Sequence, residues 1–271
     1  MRTNPSNKRL IPVTALRHLY LLLRDFPKEK FHLQCATEFD RKPKALDALI
    51  GRSFKHFSHY DNQQEAFHNR GVEGVPTKDR RKSTKLADQL AVALYDQKVV
   101  KLNQGLSFAY VDYDVSPFRT TGAAAFESGI SSTKSGRGGV DVLLVNSNDG
   151  VPIVGEVKAE IDTTPLLALI QAMTYAVEFA TPNQRQRLQL AYPNRFRFPT
   201  DGPSVDVYIL LVRPPDNQED RDFLALIDGL SRKLMQCDFV PTVIRRIVCV
   251  ETPFDNGDPL SFQVRFQHSA T

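Results

Sequence analysis

Three ionisable side chains stand in two of the most apolar stretches of the chain. Asp141 lies in GVDVLLVN (139–146), and Glu156 and Lys158 lie in VPIVGEVKA (151–159). Alternation along an extended strand puts residues two apart on one face, so Glu156 and Lys158 point the same way. The SNDG step between the stretches predicts a tight turn, which brings Asp141 beside that pair. Unpaired charges next to such a core cost on the order of several kcal/mol each, comparable to a domain's whole stability margin. The three groups must therefore compensate one another or hold a cation. Two carboxylates suit a hard divalent cation such as Mg²⁺. A cation there serves phosphodiester hydrolysis by screening the phosphate, stabilising developing charge and lowering the pKa of a water. Lys158 then either holds the attacking water or neutralises the phosphate as charge builds. The competing reading is a structural Asp–Lys–Glu ion-pair network at a sheet rim.

The elements that must position these residues are legible from period and punctuation. Leu86, Leu90, Val92, Ala93 and Leu94 supply the apolar side of a helix over about 83–97, after which the period changes to two. GLSFAYVDYDV (105–115) reads as a strand, followed by the two strands that carry the charged residues. A long helix is predicted from about Thr164 to Ala180, with Pro165 in its first turn. SVDVYILLVRP (204–214) reads as a central buried strand. A helix over 219–236 and late strands over 242–251 and 260–267 complete the pattern. Residues 181–204 read as a polar connection in which basic and aromatic residues interleave. The strand–helix–strand step over 151–212 permits a right-handed parallel crossover. The expectation is an α/β (α+β) domain with a mixed sheet over 83–271.

The spacing of the charged residues resembles a known family. Gly-Val-Asp141, fourteen intervening residues, then Glu156-Val-Lys158 on an apolar strand before a long helix are similar to the PD-(D/E)xK nuclease superfamily. The order helix, three strands, helix, strand over about 83–213 resembles that superfamily's restriction-endonuclease-like αβββαβ core. Gln171 and Tyr175 match the Q-x-x-x-Y spacing of RecB-like and lambda-exonuclease-like members, and one helical turn apart they face the same way. The resemblance implies that Asp141 and Glu156 are metal ligands with the carbonyl of Val157, and that Lys158 is the catalytic lysine. It also implies that Gln171 and Tyr175 lie near the catalytic site and the DNA, and that Mg²⁺ is the cofactor, with Mn²⁺ able to substitute. Val140 stands where the family's name has proline, a change that leaves the aspartate in place. Glu127 is the candidate for the additional upstream acid that many members carry. Glu160 and Asp162 read as solvated strand-end charges, and GRGG (136–139) as a flexible turn.

Charge is unevenly placed. The formal net charge of +4 divides into +9 over residues 1–85 and −5 over the remainder. That asymmetry suggests a polyanion partner for the N-terminal part, with a merely basic surface as the alternative. Helices are predicted over 13–25 and after Pro43, and TKDRRKSTK (77–85) reads as a basic exposed linker. The expected organisation is a basic, mostly helical region over 1–82, with possible DNA-binding, joined to the nuclease-like domain. Arg80, Arg81, Lys82, Arg137, Arg185 and Arg187 are the candidate nucleic-acid contacts. Five of the six histidines fall before residue 70, but His56, His59 and His68 lack the further ligands of a metal site. Three scattered cysteines without a CxxC pair exclude a disulfide scaffold and a zinc ribbon. No apolar run reaches the roughly 18 residues of a membrane span, and the N-terminus lacks a signal-peptide core. The expectation is a soluble cytoplasmic metal-dependent deoxyribonuclease whose partner is DNA, acting as a homodimer or with a partner protein if both strands are cut. The alternative is a catalytically silent nuclease-like fold used for nucleic-acid binding or assembly.

Overall fold

The computed structural model describes residues 15–25, 29–60, 74–76, 78–83, 85–115, 139–159, 164–213, 217–254 and 260–270. Glu127, Arg137, Glu160, Asp162 and His68 lie outside the described residues, as does the side chain of Arg80. The strands form one mixed seven-stranded sheet in which spatial order follows chain order: β1 (Val99–Lys101), β2 (Ser107–Val115), β3 (Val140–Asn146), β4 (Pro152–Ala159), β5 (Val205–Val212), β6 (Ile244–Thr252) and β7 (Gln263–Ser269). Strands β1 to β4 run antiparallel to their neighbours, β4, β5 and β6 are parallel, and β7 returns antiparallel. Each parallel step is made through helix: α6 (Pro165–Phe179) and α7 (Pro182–Ala191) join β4 to β5, and α8 (Gln218–Leu234) and α9 (Val240–Val243) join β5 to β6.

The two faces of the sheet bury different cores. Leu143, Val145, Val154, Val207, Ile209 and Cys249 face a core shared with α6, α8 and the N-terminal helices α1 (Ala15–Asp25), α2 (Glu29–Arg41) and α3 (Pro43–Tyr60). Val142, Leu144, Ile153, Val157, Tyr208 and Leu210 face a second core closed by α5 (Leu86–Gln97). Strand β5 is buried at every position, as its unbroken apolar run requires of a strand covered on both faces. Helix α6 is likewise apolar almost all round, because it is enclosed between the sheet and the N-terminal helices. Gly155 is held at close quarters: a Cβ there would meet Val142 Cγ2 at 2.6 Å.

Several expectations need correcting. The polar connection expected over 181–204 contains α7, begun by Pro182 at its first turn. Its Gln- and Arg-rich sequence shows no amphipathic period, which hid it. Helix α2 also escaped notice, because Lys and Glu interrupt its apolar spacing. A short helix α4 (Lys78–Arg81) occupies part of the expected linker, and the short edge strand β1 was not foreseen. Apart from these differences, Leu16, Leu23, Ala36, Leu46 and Ile50 of the N-terminal helices share one core with Leu169, Val207 and Leu230. None of the helices among the described residues is long and apolar enough to cross a membrane.

Candidate active site

The β3–β4 ladder pairs Val142 with Gly155. One step further out, that antiparallel register sets Asp141 opposite Glu156, and both face the side of the sheet covered by α1 and α6. Asp141 reaches across the pair, its Oδ2 accepting the backbone N–H of Val157 at 2.9 Å. Glu156 is 1% exposed. Its Oε1 accepts from Lys158 Nζ at 2.5 Å, and its Oε2 is buried without a hydrogen-bond partner. Lys158 also donates to Gln171 Oε1 at 3.2 Å. The spacing-two argument for Glu156 and Lys158 therefore holds as geometry, and Gln171 joins them from α6.

Electrostatics in this cluster follow from burial. Removal from water, reinforced by the charge of Asp141, pushes the Glu156 carboxyl well above the ordinary glutamate range. Burial works against the Lys158 cation, but the carboxylates of Glu156 and Asp141 outweigh it and keep the amine protonated. The mutual attraction of these groups offsets a desolvation cost that neither would bear alone.

Tyr175 stands one turn beyond Gln171 on α6, but it meets the N-terminal helix rather than the lysine. Arg17 of α1 donates to the Tyr175 hydroxyl at 3.4 Å and to Glu178 Oε1 at 3.2 Å, with its guanidinium 5.4 Å from the Tyr175 ring centre. Arg17, Tyr175 and Glu178 are all buried. Burial raises the Glu178 carboxyl to about 7 even though Arg17 opposes the shift, and burial also raises the Tyr175 hydroxyl well above its usual range. Tyr20, three residues along α1 from Arg17, is raised by burial and then by the charge of Glu156. Helix α1 therefore roofs the cluster, and only 13% of the Lys158 side chain reaches solvent. Arg17, Tyr20 and Glu178 were not anticipated. Their signal was faint: a basic residue on the apolar side of one helix and an acid on an otherwise apolar one.

The remaining candidates are dispersed. Arg81 is exposed, paired with Asp96 at 3.2 Å and set over the Tyr95 ring, and Lys82 is exposed beside it. Arg185 is half-buried over Phe198. Arg187 is buried on α7. The rings interleaved with these arginines also turn inward: Tyr192 and Phe196 pack edge to face, and the Tyr192 hydroxyl donates to buried Asp112 at 2.6 Å. They are core residues.

As a divalent-cation site, the cluster offers hard oxygen donors in Asp141, Glu156 and the Val157 carbonyl, and the partnerless Glu156 Oε2 fits a cation ligand. Among the described residues no three His, Cys, Asp or Glu side chains are grouped so that they could hold a metal ion. Comparison with known proteins finds no family model that matches the chain, and no similar curated protein or solved structure.

Proposed function

We propose that the chain is a Mg²⁺-dependent deoxyribonuclease with a restriction-endonuclease-like core, in which Asp141 and Glu156 hold the metal and Lys158 serves the hydrolytic step. The observation that carries this reading is the convergence of Asp141, Glu156, Lys158 and Gln171 on one sheet face, with a buried carboxylate oxygen that no protein donor satisfies. Bound there, Mg²⁺ supplies charge neutralisation and Lewis acidity. Glu156 and Asp141 bind it. Lys158 stays protonated beside them and faces the negative charge that builds on the scissile phosphate. Gln171 holds the amine in place from α6.

A second reading, a catalytically silent nuclease-like fold used for nucleic-acid binding or assembly, draws support from a specific observation. The Glu156 carboxylate is almost fully covered, and α1 packs on α6 beside it, with Arg17 paired to Glu178. Cleavage of linear and circular duplex DNA and of single strands, by wild type and Asp141→Asn with Mg²⁺, Mn²⁺ or EDTA, separates the two. Metal-dependent cutting by wild type alone supports the nuclease. Salt-dependent DNA binding with no cutting under any condition supports the silent fold.

A further inference from the structure

One register row crosses the sheet at the ends of its parallel strands. Lys158 of β4 pairs with Leu211 of β5, Leu211 with Glu251 of β6, and Glu251 with Gln263 of β7. Beyond Lys158, the same row forms the floor of an open cavity of about 780 Å³, walled by α8 and by Pro165 at the start of α6. With adjacent strands about 5 Å apart, an occupant lies roughly 5 to 15 Å sideways from Lys158. Crevices at the carboxyl ends of parallel strands are where open α/β sheets take ligands, and this volume is within the usual range for a small-molecule pocket.

The lining has two characters. Leu211, Leu224 and Phe266 give an apolar shelf, and Arg213, Arg221 and Arg265 stand at its margin, Arg221 donating to Gln218 Oε1 at 3.2 Å and Arg265 paired with Glu251. The three carboxylates of the lining are each engaged within the protein. Glu251 pairs with Arg265, Asp228 with His268, and Asp220 accepts from the Asn217 amide at the head of α8. Arg213 holds a left-handed backbone with φ +49, a conformation that costs a residue with a Cβ on the order of 1 kcal/mol. Its N–H donates to the Thr252 carbonyl at 2.9 Å and its Nε to the Phe254 carbonyl at 2.8 Å, which fix the guanidinium at the cavity wall. An apolar shelf beside guanidinium groups matches a base with its phosphate, for the shelf takes the ring and the planar forks take the anion.

We propose that this cavity binds a nucleoside monophosphate unit. Its further reading, as the subsite that takes a nucleotide flanking the scissile bond, rests on the proposed function. Binding is tested without cleavage, by titrating the four deoxynucleoside monophosphates into full-length Asp141→Asn protein in EDTA and following heat. The expected result is saturable binding, weakened about tenfold or more by Arg221→Ala and by cavity-filling Leu224→Trp. Deoxynucleosides and inorganic phosphate, each offering half of the ligand, are expected to bind at least about tenfold more weakly. Absence of binding, binding undiminished by Arg221→Ala and Leu224→Trp, or inorganic phosphate binding as tightly as a nucleotide would each overturn the proposal. Arg221→Ala, an exposed change, keeps the test decisive if Leu224→Trp does not fold. Binding in a protein that proves unable to cut DNA would sustain the cavity while the nuclease reading fell.

Discussion

Replacing Glu178 by glutamine isolates the titration of the buried pair that fastens α1 over the candidate site. Glu178 is 1% exposed and its carboxyl is raised from 4.5 to about 7 by burial, with Arg17 pulling the other way. The folded chain therefore keeps this proton to a higher pH than the unfolded chain does. The sign follows from linkage: the contribution is fully present below about pH 4.5 and is lost as pH rises to about 7. Over that interval, at about 1.4 kcal/mol per pH unit, the loss amounts to about 3 kcal/mol. Glutamine has nearly the same shape and does not titrate. Urea unfolding of both proteins across pH 4.5 to 8, followed by circular dichroism, gives two stability profiles. Their difference, wild type minus variant, should fall by about 3 kcal/mol. Wild type alone would not isolate the effect, because the Glu156 carboxyl is raised as well. Parallel profiles, or a difference that grows in favour of wild type with pH, would refute the reasoning. Either would mean that Arg17 holds Glu178 as a stabilised carboxylate and that burial does not dominate.

Other expectations concern the site and the sheet beneath it. Lys158→Ala should fold, judged by an unchanged circular dichroism spectrum, and lose DNA cleavage; retained cleavage would remove the lysine from the mechanism. Glu156→Gln should lower the dependence of stability on rising pH, since a raised carboxyl pKa makes the buried acid a growing liability as pH climbs. In wild type, Mg²⁺ at ten times its dissociation constant should stabilise the fold by about 1.4 kcal/mol in thermal unfolding, and Glu156→Gln should abolish that gain. Gly155→Ala, whose new methyl meets Val142 Cγ2 at 2.6 Å, should cost about 1–3 kcal/mol in urea unfolding. A neutral result there would show that β3 and β4 are less tightly packed than the geometry implies.

The alternation of period and composition carried much of the sheet. VDVLLV, PIVGEV and VDVYILLV are short apolar runs with few alternatives to a buried strand, and β3, β4 and β5 stand where the sequence put them. The same alternation places Glu156 and Lys158 on one face, and the 3.6-residue period places Gln171 and Tyr175 on one side of α6. Helices without a clean period behaved differently: α2 and α7 draw their place from the helices around them, and nothing local in their sequences announces it.

By itself, the sequence determined which residues share an element and a face, because strand and helix periods are local geometry. It determined the Asp141, Glu156 and Lys158 grouping, since a short turn leaves an antiparallel pair little choice of register. Only the tertiary structure decided what meets across elements. It brought Arg17 from 161 residues away onto Glu178, turned Tyr192 and Arg187 inward, and merged the basic N-terminal helices into the sheet's core. Such contacts join residues far apart in the chain, and the N-terminal helices meet α6 because that helix is apolar almost all round and the sheet covers only part of it.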